Sequence, residues 1–307
     1  MNFAAKGGVW PVMVTPFTKG GAIDYPALSA LIAWYEERGA DGLFAVCQSS
    51  EMFYLSLRER VELAAFVKRE AHLPVIASGH ISCGPEDQIE ELTRIAATGV
   101  DAVILITNRL AGPSEGPGAW LSNLEKLLAQ LPSEVPLGLY ECPYPYKRLV
   151  TLEELRFCAE SGRFHFLKDT SCDIRLIRER LKQIRGTPLK LFNANTATLL
   201  ESIEAGTAGF SGVMANFHAE LYSWLWKNWS AYPMDAKRLQ AGLTLCSQIE
   251  KQLYPVNAKY SLQLDGLPIG LQSRVQDAEQ LGPLFRDEVR QLRLLADWMK
   301  QGLPAFS

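Results

Sequence analysis

Gly99-Val100-Asp101-Ala102-Val103-Ile104-Leu105-Ile106-Thr107 reads as a helix end running directly into a buried strand. Glycine is the residue best suited to the left-handed turn that closes a helix. The run that follows is apolar without alternation, the pattern of a strand covered on both faces. Gly39-Ala40-Asp41-Gly42 repeats the arrangement ahead of an apolar run at 43–47. Gly206-Thr207-Ala208-Gly209 repeats it again, with the acid missing, ahead of 210–214. Strands are predicted at 9–15, 43–47, 75–78, 102–107, 137–141, 164–168, 189–193 and 210–214, with amphipathic segments between them. Ser56-Leu57-Arg58-Glu59 and Thr151-Leu152-Glu153-Glu154 have the form of capping boxes. Pro85 and Pro117 fit first-turn positions, and Gly39, Gly99, Gly162 and Gly206 fit helix ends. Eight strand–helix units in a chain of this length predict the α/β class and, within it, a (β/α)8 TIM barrel. An open doubly wound sheet competes, but no G-x-G-x-x-G follows the first strand.

Beyond Met214 only helices are predicted, at 219–229, 233–253 and 278–299, with a loop carrying Pro255, Gly266, Pro268 and Gly270 before the last. Residues 1–225 are therefore read as the barrel with the active site, and 226–307 as a C-terminal helical appendage packed on it, too small to fold alone. Trp224, Trp226 and Trp229 are read as core and subunit contact, since no basic groove accompanies them as a nucleic-acid stacking platform would require.

Composition narrows the function. At 307 residues and 48% apolar, the chain can bury a large core. A net charge of −3 gives no nucleic-acid footprint, and no apolar run is long enough to span a membrane. Met1-Asn2-Phe3-Ala4-Ala5-Lys6 lacks the apolar core of a signal peptide, so a cytoplasmic protein is expected. Cys47, Cys83, Cys142, Cys158, Cys172 and Cys246 form no C-x-x-C pair and are expected as free thiols. His72, His80, His165 and His218 form no ligand pair, so neither a metal nor another cofactor is expected.

The C-terminal ends of barrel strands share one mouth, where active sites are built. In Phe164-His165-Phe166-Leu167-Lys168-Asp169 one residue stands out, because Lys168 closes an apolar strand. A lone strand-end lysine more often snorkels to water. Held dry, its ammonium form is penalised, and the free amine can attack a carbonyl. Tyr140-Glu141 ends the neighbouring fifth strand, Gln48-Ser49-Ser50-Glu51 follows the second, and Gly209-Phe210-Ser211-Gly212 ends the eighth, where glycines let a substrate approach the backbone. Together these suit a small-molecule 2-oxo acid. Lys168 condenses with the keto carbon, Tyr140 shuttles the proton, and Gln48, Ser49, Ser50 and Ser211 donate to the carboxylate.

The same residues resemble a family, that of dihydrodipicolinate synthase and N-acetylneuraminate lyase, the pyruvate-type class I aldolases. Gly8-Val9-Trp10-Pro11-Val12-Met13-Val14-Thr15-Pro16-Phe17 is similar to its first strand. Leu167-Lys168-Asp169-Thr170-Ser171-Cys172-Asp173 resembles its Schiff-base motif, and Tyr140-Glu141-Cys142-Pro143 its Y-N-x-P motif. Gly209-Phe210-Ser211-Gly212-Val213-Met214-Ala215-Asn216 looks like its last strand. The resemblance implies a Schiff-base lyase assembled as a homo-oligomer, tetramer or dimer.

Departures from the family bear on the substrate. The G-[ST]-T-G-E turn reads Cys47-Gln48-Ser49-Ser50-Glu51. The synthases' second tyrosine, after strand four, has no counterpart in Thr107-Asn108-Arg109-Leu110-Ala111-Gly112. Their substrate-binding arginine falls near Pro145, with Lys147 and Arg148 as either substitutes or solvated charges. Glu141 stands for the usual asparagine and either binds substrate hydroxyls or faces away, since strand neighbours alternate in direction. The leading expectation is a retro-aldol or a dehydration of a 2-keto-3-deoxy sugar acid. The lysine-pathway synthase is the alternative, and a ligand-binding barrel without activity is a third, disfavoured by the presence of both Lys168 and Tyr140.

Overall fold

The computed structural model describes residues 5–304 and 306, so the leader expectation at residues 1–4 lies outside the described residues. The barrel elements are β1 Gly8–Val9, α1 Tyr25–Glu37, β2 Leu43–Phe44, α2 Leu57–Glu70, β3 Val75–Ala77, α3 Pro85–Ala96, β4 Ala102–Ile106, α4 Thr107–Leu110, α5 Pro117–Leu128 and β5 Leu137–Tyr140. They continue through α6 Leu152–Glu160, β6 Phe164–Asp169, α7 Ile174–Gln183, β7 Lys190–Asn193, α8 Leu199–Ala205 and β8 Gly209–Phe210. All neighbouring strands pair in parallel in the order β1-β8-β7-β6-β5-β4-β3-β2. The ring closes through a parallel bridge between Val12 and Phe44, with Phe44 N donating to Pro11 O at 3.0 Å and Met13 N to Phe44 O at 3.1 Å. The fold is the (β/α)8 barrel.

The repeated Gly-x-Asp signal has a physical cause. Asp41 accepts from Val9 N at 3.1 Å, and Asp101 accepts from Val75 N at 2.7 Å. Each acid thus ties the end of one helix to the first residues of the preceding strand. The capping boxes at Ser56/Glu59 and Thr151/Glu154 are both formed. Gly209 serves closure, not substrate approach. At its φ of +149° a Cβ would lie 1.9 Å from Gly8 O, so β1 and β8 meet only because glycine stands there. The barrel interior is aromatic: Phe166 stacks on Phe192 at 4.2 Å, Trp10 lies 5.4 Å from Phe166, and Phe44 meets Tyr140 edge-on at 5.7 Å. This floor keeps water from reaching the strand ends from below.

Three features differ from the sequence expectation. The first, second and last strands are shorter than predicted, and in the first Pro11 offers no amide hydrogen for a ladder. The segment around Pro255 and Gly266, read as a loop, contains helix α11 Val256–Leu264, following α9 Ala215–Asn228 and α10 Pro233–Cys246 and preceding α12 Pro283–Gln301. Its residues from Val256 to Leu262 are all buried, so no polar face betrays a helical period. The 225/226 division falls inside α9, which packs on β1 and so belongs to both regions. Trp224 is core, its Nε1 donating to Pro304 O at 2.8 Å, and Trp226 and Trp229 pack partly buried against the same core.

Candidate active site

β5 and β6 bring Tyr140 and Lys168 into register as direct partners on adjacent strands. Lys168 is only 4% exposed, and its Nζ lies over the Tyr140 ring, 4.5 Å from the centroid. It makes no ion pair or hydrogen bond within the described residues. Burial pushes its ammonium group down from the ordinary lysine value. The neighbouring thiols do not compete for the nucleophile's role. Burial raises the Cys47 thiol and pushes Cys142 up to about 11, so both stay protonated at neutral pH.

Lys168 opens on a cavity of about 400 Å³ at the C-terminal ends of the strands. Gln48, Ser49, Tyr140 and Thr170 line it from the barrel, and Glu250, Tyr254 and Pro255 close it from the C-terminal region. Tyr140 Oη donates to Gln48 Oε1 at 3.4 Å, and burial raises that hydroxyl's pKa well above the usual value. Ser49 lies against the Tyr254 hydroxyl, which Asn216 Nδ2 also meets at 3.3 Å.

Gln48, Ser49, Tyr140 and Lys168 therefore share one cavity, while three other expected site residues do not. Ser50 is buried in the turn, accepting from Cys47 N at 2.6 Å and donating to Cys47 O at 2.7 Å, and holds that turn's shape. Ser211 is buried, its amide donating to Asn193 O at 2.9 Å, and the cavity wall there is Gly212 and Val213. Glu141 faces away from the mouth, as strand alternation allows. Its carboxylate accepts from Val150 N at 2.8 Å, Thr170 N at 2.9 Å and both terminal nitrogens of Arg180 at 2.5 and 3.2 Å. Arg180 also holds Asp169, so a buried charge cluster fixes the backbone just after Lys168 to the end of β5. Arg109 is likewise occupied, its guanidinium over Phe53 at 5.2 Å and within 3.3 Å of Cys83 Sγ. Arg148 pairs with Glu154 at 2.6 and 3.1 Å, which leaves Lys147 as the cation of that loop at the cavity.

Sequence reasoning missed the C-terminal contribution. Glu250, in a single 3-10 turn, and Tyr254, beside Pro255, lie outside any strand-end motif. It also missed Lys259, which reaches from α11 to Glu51 at 2.8 Å and to Gln272 O at 2.6 Å. Glu51 additionally accepts from Ser273 Oγ at 3.0 Å and Arg274 N at 2.5 Å, so the turn bearing Gln48 and Ser49 is clamped to the C-terminal region. The sequence around Lys259 alternates apolar and polar residues, so nothing in it marks the lysine as buried.

Residues 5–279 match the dihydrodipicolinate synthetase family. The chain belongs to that family. It is accordingly a lyase of the class I aldolase type. A curated 4-hydroxy-tetrahydrodipicolinate synthase of Bacillus subtilis (strain 168) is 27% identical over 277 residues, covering 88% of this chain and 92% of the relative. A dihydrodipicolinate synthase structure from Bacillus anthracis superposes with a TM-score of 0.85 at 19% identity, covering 98% of this chain and 100% of that one. A prophage protein of the same family from E. coli K12, solved in complex with pyruvate, gives 0.82 at 21% identity over 96% and 98% of the two chains. At these identities the superpositions speak for the fold. No helix among the described residues is long and apolar enough to cross a membrane.

Proposed function

We propose that Lys168 forms a Schiff base with a 2-oxo acid and that the enzyme cleaves or dehydrates a 2-keto-3-deoxy sugar acid. The observation that carries this reading is the buried amine of Lys168, without an ion-pair or hydrogen-bond partner among the described residues, lying over the Tyr140 ring and opening on the cavity that both residues line. The free amine attacks the keto carbon. The carbinolamine then loses its hydroxyl as water, with Tyr140 carrying the proton, and leaves an iminium that withdraws electrons from C3. Ser49 and the backbone of its turn receive the carboxylate. The pyruvate complex of the E. coli K12 relative supports a 2-oxo acid as the common part of the substrate.

The partner half of the site supports a substrate other than that of the lysine-pathway synthase. Arg148 is taken by Glu154, Arg109 by Phe53 and Cys83, and the segment after β4 offers no tyrosine. A second carboxylate would therefore lack the bidentate arginine that matches its geometry. The names of the curated relatives favour the synthase, and the test separates the two readings. Pyruvate with borohydride should add one reduced adduct to Lys168 by mass spectrometry. A panel of 2-keto-3-deoxy acids should then outperform aspartate semialdehyde with pyruvate in kcat/KM. The semialdehyde emerging as the best substrate would make this a synthase. Cytoplasmic location and a homo-oligomer, tetramer or dimer, complete the proposal. A monomer by light scattering would remove the latter.

A further inference from the structure

We propose that Glu250, carried by the C-terminal region, is the acid–base group that moves the C3 proton of the 2-oxo acid bound to Lys168, a role that rests on the Schiff-base reading above. Glu250 sits in the 3-10 turn Ser247–Lys251 and lines the same cavity as Lys168 and Tyr140. It has no hydrogen-bond or ion-pair partner among the described residues. Glu250 is half-buried, and the fully buried carboxylates among the described residues are by contrast well supplied with donors. Glu51, Glu91, Glu141, Glu154 and Asp169 each hold several donors. A carboxyl left without donors at a cavity wall is free to exchange its proton with whatever enters.

The Tyr140 hydroxyl has no onward proton relay through its hydrogen-bond partner. Its hydrogen bond ends on Gln48 Oε1, an amide oxygen, and the Cys142 thiol points at the same atom from 3.4 Å. An amide oxygen accepts a proton bond but passes no proton on. With Tyr140 assigned to the carbinolamine, Glu250 is the carboxyl at the same cavity that can exchange a proton at C3. Around Glu250 stand Lys168 and Cys172 from β6 and the turn after it, Tyr222 from α9, Tyr254 from its own segment and Lys147 across the cavity. Burial pushes Cys172, Tyr222 and Tyr254 up, away from neutrality. Burial raises Glu250 to about 7, with Lys168 opposing, which suits a group that must both take and give a proton at neutral pH.

The steps balance. From the iminium, the Glu250 carboxylate takes the C3 proton, the C–H pair forms C2=C3, and the C2=N pair returns to nitrogen as an enamine. In dehydration the enamine pushes back, C3=C4 forms, the C4–O bond breaks, and Glu250 gives its proton to the departing hydroxyl as water. In cleavage the carboxylate takes the C4 hydroxyl proton, C3–C4 breaks to an aldehyde and an enamine, and Glu250 returns the proton to C3. Either route restores Glu250.

Pyruvate alone tests this, because its methyl protons exchange through the same enamine. The wild-type protein and Glu250→Gln are compared in D₂O by proton NMR, with borohydride trapping on each. We expect equal trapping and exchange slower by about 100-fold in the variant, together with loss of a limb that rises through pH 7 in the wild type. Exchange within about threefold of wild type at equal trapping overturns the role of Glu250 and leaves the Schiff-base reading standing. Loss of trapping in Glu250→Gln alone also overturns it, since the residue would then serve imine formation or folding. No trapping in either protein overturns both readings.

Discussion

Lys168 and Lys259 are 4% and 0% exposed, and burial pushes both ammonium groups down from the ordinary lysine value. Their surroundings differ in one respect. Lys259 meets the Glu51 carboxylate at 2.8 Å and the Gln272 carbonyl at 2.6 Å, whereas among the described residues Lys168 meets the face of the Tyr140 ring, with no hydrogen bond or ion pair, and opens on a cavity. The same contrast separates Glu141, held by Arg180 and two backbone amides, from Glu250, which has no donor among the described residues. A buried charge with its partners fixes the backbone, and an ionisable group at a cavity wall without them is available to a substrate. Burial alone does not distinguish the two roles, but the count of partners does.

Removing each lysine should break different things. We expect Lys168→Ala to lower turnover by at least about 1,000-fold while the melting temperature holds or rises, because an uncompensated desolvated amine is gone. Steady-state assay beside calorimetry checks both halves, and full turnover in a folded Lys168→Ala protein would end the Schiff-base mechanism. Lys259→Met should do the reverse. It strands Glu51 as a buried charge, and breaking such a pair costs about 3–5 kcal/mol. Urea denaturation should show that loss, while the fraction still folded traps pyruvate with borohydride. Normal stability in Lys259→Met would mean that the clamp between α11 and the Gln48–Glu51 turn contributes nothing.

Glu141 sharpens the contrast on a smaller scale. Glu141→Gln keeps the shape and one acceptor but removes the charge facing Arg180, which retains Asp169. The expected loss is about 1.5–3 kcal/mol, the range for hydrogen bonds to charged groups. Turnover should fall only modestly at saturating substrate, since the carboxylate lies behind the strand. A selective rise in KM with unchanged stability would instead put Glu141 back in the mouth.

Much of the molecule was legible because its signals are local. The strand runs, the Gly-x-Asp joints, the two capping boxes and the misplaced Lys168 each lie within a few residues, and the strand order brings Tyr140 beside Lys168. Three things were not legible. Helix α11 is buried nearly all round, so its sequence lacks the polar face that reveals a helix. The direction of Glu141 depends on where its strand ends, and a single residue's shift reverses it. Glu250 and Tyr254 reach the cavity only because the C-terminal helices fold back over the barrel mouth, and nothing in their own neighbourhood records that contact.

His80 gives the smallest and most specific test of the partner rule, because it is buried, fully partnered and neutral. Ile106 N donates to its Nδ1 at 3.0 Å, so the ring hydrogen sits on Nε2 and is donated to Gln88 Oε1 at 2.9 Å. Burial, with the Arg109 guanidinium adding to it, pushes His80 down to about 4. An unfolded histidine titrates near 6.5, so between these values the unfolded chain binds the proton and the folded one refuses it. Stability is therefore complete above about pH 6.5 and falls with acid, by up to about 1.4 kcal/mol per pH unit. His218, pushed down to about 3, acts in the same direction, and Glu250, raised to about 7, acts in the opposite one. Both remain in a His80→Gln protein, so the difference between the two slopes belongs to His80. We expect His80→Gln to be about 1 kcal/mol less stable at pH 7, yet to lose stability more slowly between pH 6.5 and 4.5 in urea titrations. Parallel slopes would show that His80 takes up its proton in the folded state as readily as in the unfolded one, and that the Ile106 amide does not hold the ring neutral.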